Sequence, residues 1–194
     1  DASSLGTTPG SMTVNFIVEK VTQYDNLIAH WTFDEESGSR IFDRGPNGYD
    51  IPKIGTPSRT SSGKFGGALN FPSNHKRTYF PIEAHPKVED METSLSFWIN
   101  GASNLRGNSS TFLSSNGLNG RILNIHLPWS NNNVYWDFGD GSYDRTNVSF
   151  TEAELEGTWA HWVFTHNRST GKMKIFRNGV LRKNASGKTK AVGA

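Results

Sequence analysis

An all-β chain folded as a two-layer antiparallel β-sandwich is what the sequence predicts, and three observations carry the prediction. Residues 159–166 form an unbroken aromatic and β-branched run. In an extended strand Trp159, His161, Val163 and Thr165 face one way, and Ala160, Trp162, Phe164 and His166 the other. Both sets are largely apolar, which predicts a central strand covered on both faces rather than a half-exposed one. Second, the polar loop Asn167–Gly171 returns the chain into Met173 and Ile175 and then into Asn178-Gly179, the strongest short hairpin signal. Third, 20 glycines and 8 prolines beside 34% hydrophobic residues supply the turns that many short strands need.

Taken in order, residues 1–24 read as a linker followed by a strand, in which Met12, Val14, Phe16 and Val18 share a face. That strand is either the tail of a preceding β-module or an addition to this sandwich, which occupies residues 25–194. Strands are expected over residues 28–33, 40–43, 65–71, 78–82, 94–100, 110–115, 121–127, 133–138, 159–167 and 172–177. The Pro-, Thr- and Ser-rich stretch from Ile51 to Ser62 is expected to be an exposed loop. Residues 83–93, with Pro86 and the acids Glu83, Glu89, Asp90 and Glu92, read as a surface crossing. Thr151 followed three positions later by Glu154 is a capping-box pattern and predicts one helical turn.

At 194 residues the chain can bury a full core. A net charge of +2 with scattered Lys and Arg argues against a nucleic-acid surface, and the basic end at Arg182, Lys183, Lys188 and Lys190 reads as solvated chain. With no cysteine, disulfides, thiolate metal sites and cysteine catalysis are excluded together. No run reaches the length of a membrane-spanning helix, and Asp1 opens no signal peptide, so the chain is expected to lie inside a larger protein. The Asn-x-Ser sequons at Asn108, Asn147, Asn167 and Asn184 are what chance gives a chain this rich in Asn and Ser.

Five blocks in order carry a family resemblance: His30-Trp31-Thr32-Phe33-Asp34-Glu35, then Asp43 with Asn47-Gly48, then Gly63-Lys64-Phe65-Gly66-Gly67-Ala68, then Ser94-Leu95-Ser96-Phe97-Trp98-Ile99, and last Trp159, His161 and Thr165 ahead of Ile175-Phe176-Arg177-Asn178-Gly179. Over roughly residues 27 to 181 the chain resembles laminin-G-like jelly-roll domains of the concanavalin A-like lectin/glucanase group, of the bacterial secreted or surface type. The resemblance implies a jelly roll and an extracellular, secreted or cell-surface setting. It also implies one more strand after the Asn-Gly hairpin, for which the sequence shows no counterpart, so the family's final strand is expected to be missing. The fold does not name a function, since it hosts lectins, glycanases and adhesive spacers.

Two places could carry chemistry. In the segment from Asp34 to Asp50, hard oxygen ligands from Asp43, Asn47 and nearby carbonyls could converge on calcium, which takes roughly six to eight of them. The resemblance implies a structural Ca²⁺ held by Asp43 and Asn47, with Asp34 in the same segment. The plainer reading of Asp43 and Asn47 is an Asx turn. Asp137 to Asp144 lacks the spacing of an EF-hand.

The second place is His126 to Asp137. Flat aromatic faces beside amides match sugar C–H surfaces and hydroxyls, so Trp129, Asn131 and Asn132 are ligand candidates, with Tyr143 and Arg145 lining the rim. Against this, Trp136 shares a face with Val134 and Phe138 and belongs to the core, and Trp129 could simply staple its loop. Trp31, Trp98, Trp159 and Trp162 are expected inside. His161 is expected to be a hydrogen-bonded core residue, and no two histidines have metal-ligand spacing.

Retaining glycoside hydrolysis needs two carboxylates ~5 Å apart, as acids at alternate strand positions provide. The only comparable cluster, Glu89-Asp90-Met91-Glu92, is adjacent rather than alternating. A serine nucleophile elbow is absent as well. The expectation is a non-catalytic, calcium-stabilised recognition module for glycan or an extracellular protein, accompanied by other modules of its parent chain. A structural spacer, or an accessory module of a polysaccharide-degrading enzyme, is the alternative.

Overall fold

The computed structural model describes residues 26–53, 57–71, 92–102, 112–115, 121–139 and 142–191. It is an antiparallel β structure built from β1 (Arg40–Ile41), β2 (Ile51–Pro52), β3 (Ser58–Thr60), β4 (Ala68–Asn70), β5 (Glu92–Asn100), β6 (Phe112–Ser115), β7 (Arg121–His126), β8 (Asn133–Phe138), β9 (Asp144–Ser149), α1 (Glu152–Leu155), β10 (Trp159–Asn167), β11 (Lys172–Arg177) and β12 (Val180–Ala185). Two four-stranded sheets, ordered β12-β11-β10-β5 and β6-β7-β8-β9, carry the core, and β1-β2 and β3-β4 form two small ribbons.

Period-2 alternation sets what each sheet hides. Ala160, Trp162, Phe164, Met173 and Ile175 from one sheet meet Leu123, Ile125, Val134, Trp136 and Phe138 from the other in one buried cluster. The Trp136 indole N–H crosses the sandwich to donate to the Thr165 carbonyl at 3.1 Å, so the layers are joined by a hydrogen bond as well as by packing. Glu154 closes α1 as expected, its carboxylate accepting from the Thr151 backbone N–H at 3.0 Å.

Several expectations are corrected. The Trp159–His161–Val163–Thr165 face of β10 is half-buried rather than enclosed. His161 therefore lies outside the core, hydrogen-bonded to Ser96 Oγ at 2.8 Å, while His126 and His166 are buried. Trp98 is 37% exposed, and Trp31 and Trp159 are half-buried. The stretch from Ile51 to Ser62 is partly sheet: Ile51 is buried opposite Ile41, and Ser58–Thr60 pair with β4. Residues 28–33 make only the isolated bridge Trp31–Asp43. β9 and β12 were not anticipated, and β12 completes the Asn178-Gly179 hairpin with β11. The Met12–Val18 strand, the 78–82 strand and Glu89–Met91 fall outside the described residues.

Candidate functional site

Cross-strand register assembles a polar and aromatic cluster on the outer face of the second sheet. Asn124 pairs with Asp137 and Asp137 with Arg145, one rank across β7, β8 and β9; His126 pairs with Tyr135 in the rank beside it. Directly opposite residues share a face, so alternation sends Ile125, Trp136 and Thr146 inward and brings these five together outside.

Asp137 is the electrostatic centre. Arg145 grips it with two parallel hydrogen bonds, Nε to Oδ1 at 2.6 Å and Nη2 to Oδ2 at 2.8 Å. Asn124 Nδ2 donates to the same Oδ2 at 3.1 Å. The two-pronged bond to Asp137 raises the Arg145 pKa further, which keeps the guanidinium charged. A carboxylate oxygen can only accept, so the Asn124 NH₂ must face it. Its second hydrogen then points at His126 Nε2, 2.8 Å away, and that ring nitrogen is the acceptor. The Asn124 Oδ1 is buried without a partner.

His126, Trp129, Tyr135 and Arg145 line a hollow of about 180 Å³. Trp129 stands edge-on to the His126 ring at 4.5 Å, and the Arg145 guanidinium lies over the rings of Tyr135 and Tyr143 at 4.9 and 5.0 Å. Planar groups held this way lose little freedom on meeting a ligand.

The Asn-rich tip has a different job from the one its composition suggests. Trp129 N–H donates to the Asn133 carbonyl and Asn132 N–H to the Trp129 carbonyl, both at 2.9 Å, which makes the β7–β8 connection a tight turn. Asn132 sits at φ 61°, a conformation asparagine tolerates better than most residues. Asn131 Nδ2 donates to the Tyr135 hydroxyl at 2.9 Å and so positions a wall of the hollow. Trp129 and Arg145 thus line the hollow directly, Tyr143 backs Arg145, and Asn131 and Asn132 shape the turn. Sequence reasoning placed His126, Tyr135 and Asp137 inside the candidate segment without giving them a role, and it did not reach Asn124; the signal was polar residues at alternate positions of two apolar strands.

Asp34, Asp43 and Asn47 do not form one donor set. Asp43 Oδ1 accepts from His30 N–H and Gly45 N–H at 2.7 Å each, and Oδ2 from Tyr49 N–H at 2.9 Å. Burial pushes the Asp43 carboxyl up, but these three donors together outweigh it and hold its pKa below the ordinary value. Asn47 Nδ2 donates to the Ile28 carbonyl at 2.9 Å, and Asp34 Oδ1 accepts from Gly67 N–H at 2.7 Å in another loop. Donor hydrogens converging on Asp43 are the electrostatic opposite of what a cation needs, so this set does not fit Ca²⁺. No group of three or more His, Asp or Glu able to hold a metal occurs among the described residues.

A larger open groove of about 720 Å³ runs between the β3–β4 ribbon, the end of β5 and the Glu156–Gly157 turn, with Trp159 on its wall. Among the described residues, no helix is long and apolar enough to cross a membrane.

No curated protein matches the chain. Among solved structures, the chain resembles the binding domain of botulinum neurotoxin DC in complex with SialylT, with a TM-score of 0.54 and 19% identity over 81% of this chain and 39% of that one. It therefore spans about two fifths of that neighbour, and at this identity the likeness is one of fold. The laminin G 3 family model, of the concanavalin A-like lectin/glucanases superfamily, matches residues 74–194. Together with the two packed antiparallel sheets, that match places the chain in the concanavalin A-like lectin/glucanases superfamily, in its laminin G family.

Proposed function

We propose that the chain is a non-catalytic carbohydrate-recognition module which takes a sugar ring in the hollow formed by Trp129, His126, Tyr135 and Arg145. The observation that carries this reading is the combination there of a half-buried indole with a guanidinium fixed by a buried carboxylate. The indole offers an apolar face to sugar C–H groups, and the remaining donors of Arg145 and the Tyr135 hydroxyl suit hydroxyl oxygens. At about 180 Å³ the hollow is smaller than the roughly 300–1,000 Å³ of pockets for drug-sized ligands, which favours a single ring or a chain end. The neurotoxin neighbour is itself described as a binding domain, which agrees with this reading.

A binding rather than hydrolytic role is supported by the carboxylate inventory. None of the residues lining the hollow is an acid, and both oxygens of Asp137 behind them are committed to Arg145, so the hollow lacks the pair of free carboxyl groups that glycoside hydrolysis ordinarily uses. An extracellular or cell-surface setting within a larger protein is part of the proposal. A glycan array probed with the chain and with Trp129→Ala tests it. Specific binding lost in the variant supports recognition, whereas silence across the array, or binding indifferent to Trp129, removes the hollow from consideration and favours a spacer.

A further inference from the structure

The opposite face of the sandwich carries a second construction that the hollow does not use. The segment Gly63–Gly67 is folded tightly against Asp34 and Phe33. A Cβ at Gly63 would collide with the Gly66 and Gly67 carbonyls, one at Gly66 with the Asp34 carboxylate, and one at Gly67 with the Phe33 carbonyl. Gly63 N–H donates to the Gly66 carbonyl at 2.9 Å, and Gly67 N–H to Asp34 Oδ1 at 2.7 Å. Gly63 and Gly67, where a side chain would strike backbone carbonyls, and Gly66, where it would strike the Asp34 carboxylate, thus hold a Phe65 that is 71% exposed. A loop fixed this firmly does not need an exposed aromatic at its tip for its own stability.

Phe65 is aimed at a neighbour. Its ring meets Trp98 edge-on at 5.6 Å, and Trp98 in turn stacks on His161 at 5.0 Å across the β5–β10 pair. Lys64 Nζ lies 5.1 Å from the Trp98 ring centre and 5.9 Å from that of Phe65, a cation held over two aromatic rings. Two more cations and one acid lie farther along the face. By register Lys172 and Lys174 stand beside Asn167 and Thr165 on the outward side, and the outward acid Glu92 at the end of β5 already accepts a hydrogen bond from Asn167. Lys174 lies two strands across and four residues along from Trp98, roughly 17 Å by strand geometry. That span suits a chain of rings rather than one.

We infer that the outer face of the β5–β10–β11 sheet, centred on Phe65, Trp98 and Lys64, is a second ligand surface for an anionic polysaccharide. The exposed Phe65 and Trp98 surfaces take sugar C–H faces, Lys64 meets the acidic group beside them, and Lys172 and Lys174 meet acidic groups farther along. A carboxylate of a uronic acid and a sulfate ester share this chemistry, and the experiment separates them.

The test is retention of the full chain on beads carrying polygalacturonate, dextran sulfate or neutral dextran. Retention is expected on one or both anionic supports, to fall with added salt, and to weaken about tenfold in Lys64→Gln and in Phe65→Ala while Trp129→Ala leaves it unchanged. Retention on polygalacturonate alone assigns carboxylates, and on dextran sulfate alone sulfate esters. No retention on either overturns the inference. So does retention that survives Lys64→Gln and Phe65→Ala, and its loss in the control Lys188→Gln/Lys190→Gln then marks ion exchange by the basic tail. Retention abolished by Trp129→Ala assigns all binding to the hollow, leaving the proposed function standing and this surface excluded. Phe65 and Lys64 are exposed, so melts matching wild type certify that the variants are folded.

Discussion

Asp137 and Arg145 stand directly opposite each other on β8 and β9 and close a two-pronged ion pair, 2.6 Å at one prong and 2.8 Å at the other. The Asp137 side chain is 1% exposed although it lies on the side of the sheet away from the core, and Arg145 is 38% exposed. A charge so covered is tolerable only with its partner in place, so the pair fixes one arrangement of β7, β8 and β9 on the face that forms the hollow.

Removing Arg145 leaves a buried carboxylate uncompensated. Arg145→Ala is expected to cost about 3 kcal/mol in urea unfolding, the lower end for broken buried pairs because Arg145 keeps part of its hydration. Arg145→Lys keeps the charge but not the fork and is expected to cost less, while still impairing ligand binding. An Arg145→Ala variant with the wild-type midpoint would show that water reaches Asp137 freely.

His166 predicts a pH dependence. It is buried and stacked on Phe138 at 4.1 Å, and an interaction with the Lys188 backbone only partly offsets the loss of water around the ring. Burial therefore pushes its pKa below the ordinary 6.5. As pH falls below ~6.5 the unfolded chain takes up a proton that the folded one refuses, so stability declines from pH 7 towards 5. His166→Phe is expected to flatten that slope in a series of melts. An unchanged slope would mean that another group is responsible.

Strands long enough to show a clear period were legible: residues 159–167 and 172–177 are β10 and β11 to the residue. Short or polar ones were not. β2 and β3 have two and three residues, too few for any period, and Ser and Pro there speak for a loop. β9, with Asp144, Arg145, Thr146 and Asn147, hides its strand character because its outward side is polar for the sake of the Asp137 cluster. The candidate site was half legible for the same reason: Trp129 and Arg145 are conspicuous, whereas Asn124 and Asp137 become partners only through register, which no local pattern prints.

The Asp43 loop separates a metal from a hydrogen-bond hub. Asp43→Ala leaves the His30, Gly45 and Tyr49 N–H groups without their acceptor and is expected to cost about 2 kcal/mol, since unsatisfied donors cost roughly 1–3 and these remain partly wet. The loss should be the same in excess Ca²⁺ and in chelator, and the wild-type melt should not respond to either. The lowered Asp43 pKa adds a signature: its contribution, whole at neutral pH, is lost as pH falls below 3.8 through the depressed value. A chelator-sensitive wild-type melt, abolished in Asp43→Ala, would instead establish a calcium site.

Gly66 tests whether the loop beneath Phe65 is built or incidental. It adopts φ 62°, where a side chain costs about 1–2 kcal/mol, and its Cβ would collide with the Asp34 carboxylate that accepts the Gly67 N–H. Gly66→Ala should therefore loosen the whole segment instead of only adding strain, because relief requires breaking the Asp34–Gly67 bond. That bond also holds the Asp34 pKa below the ordinary carboxylate value, so chemical-shift titration of Asp34 reads its integrity directly. The expected result is an Asp34 pKa returning towards 3.8, accompanied by loss of the Phe65–Trp98 contact in aromatic ring-current shifts. An alanine that leaves both signals in place would show that Phe65 is held by its contact with Trp98 alone, and that the three glycines serve the chain path rather than the aromatic pair.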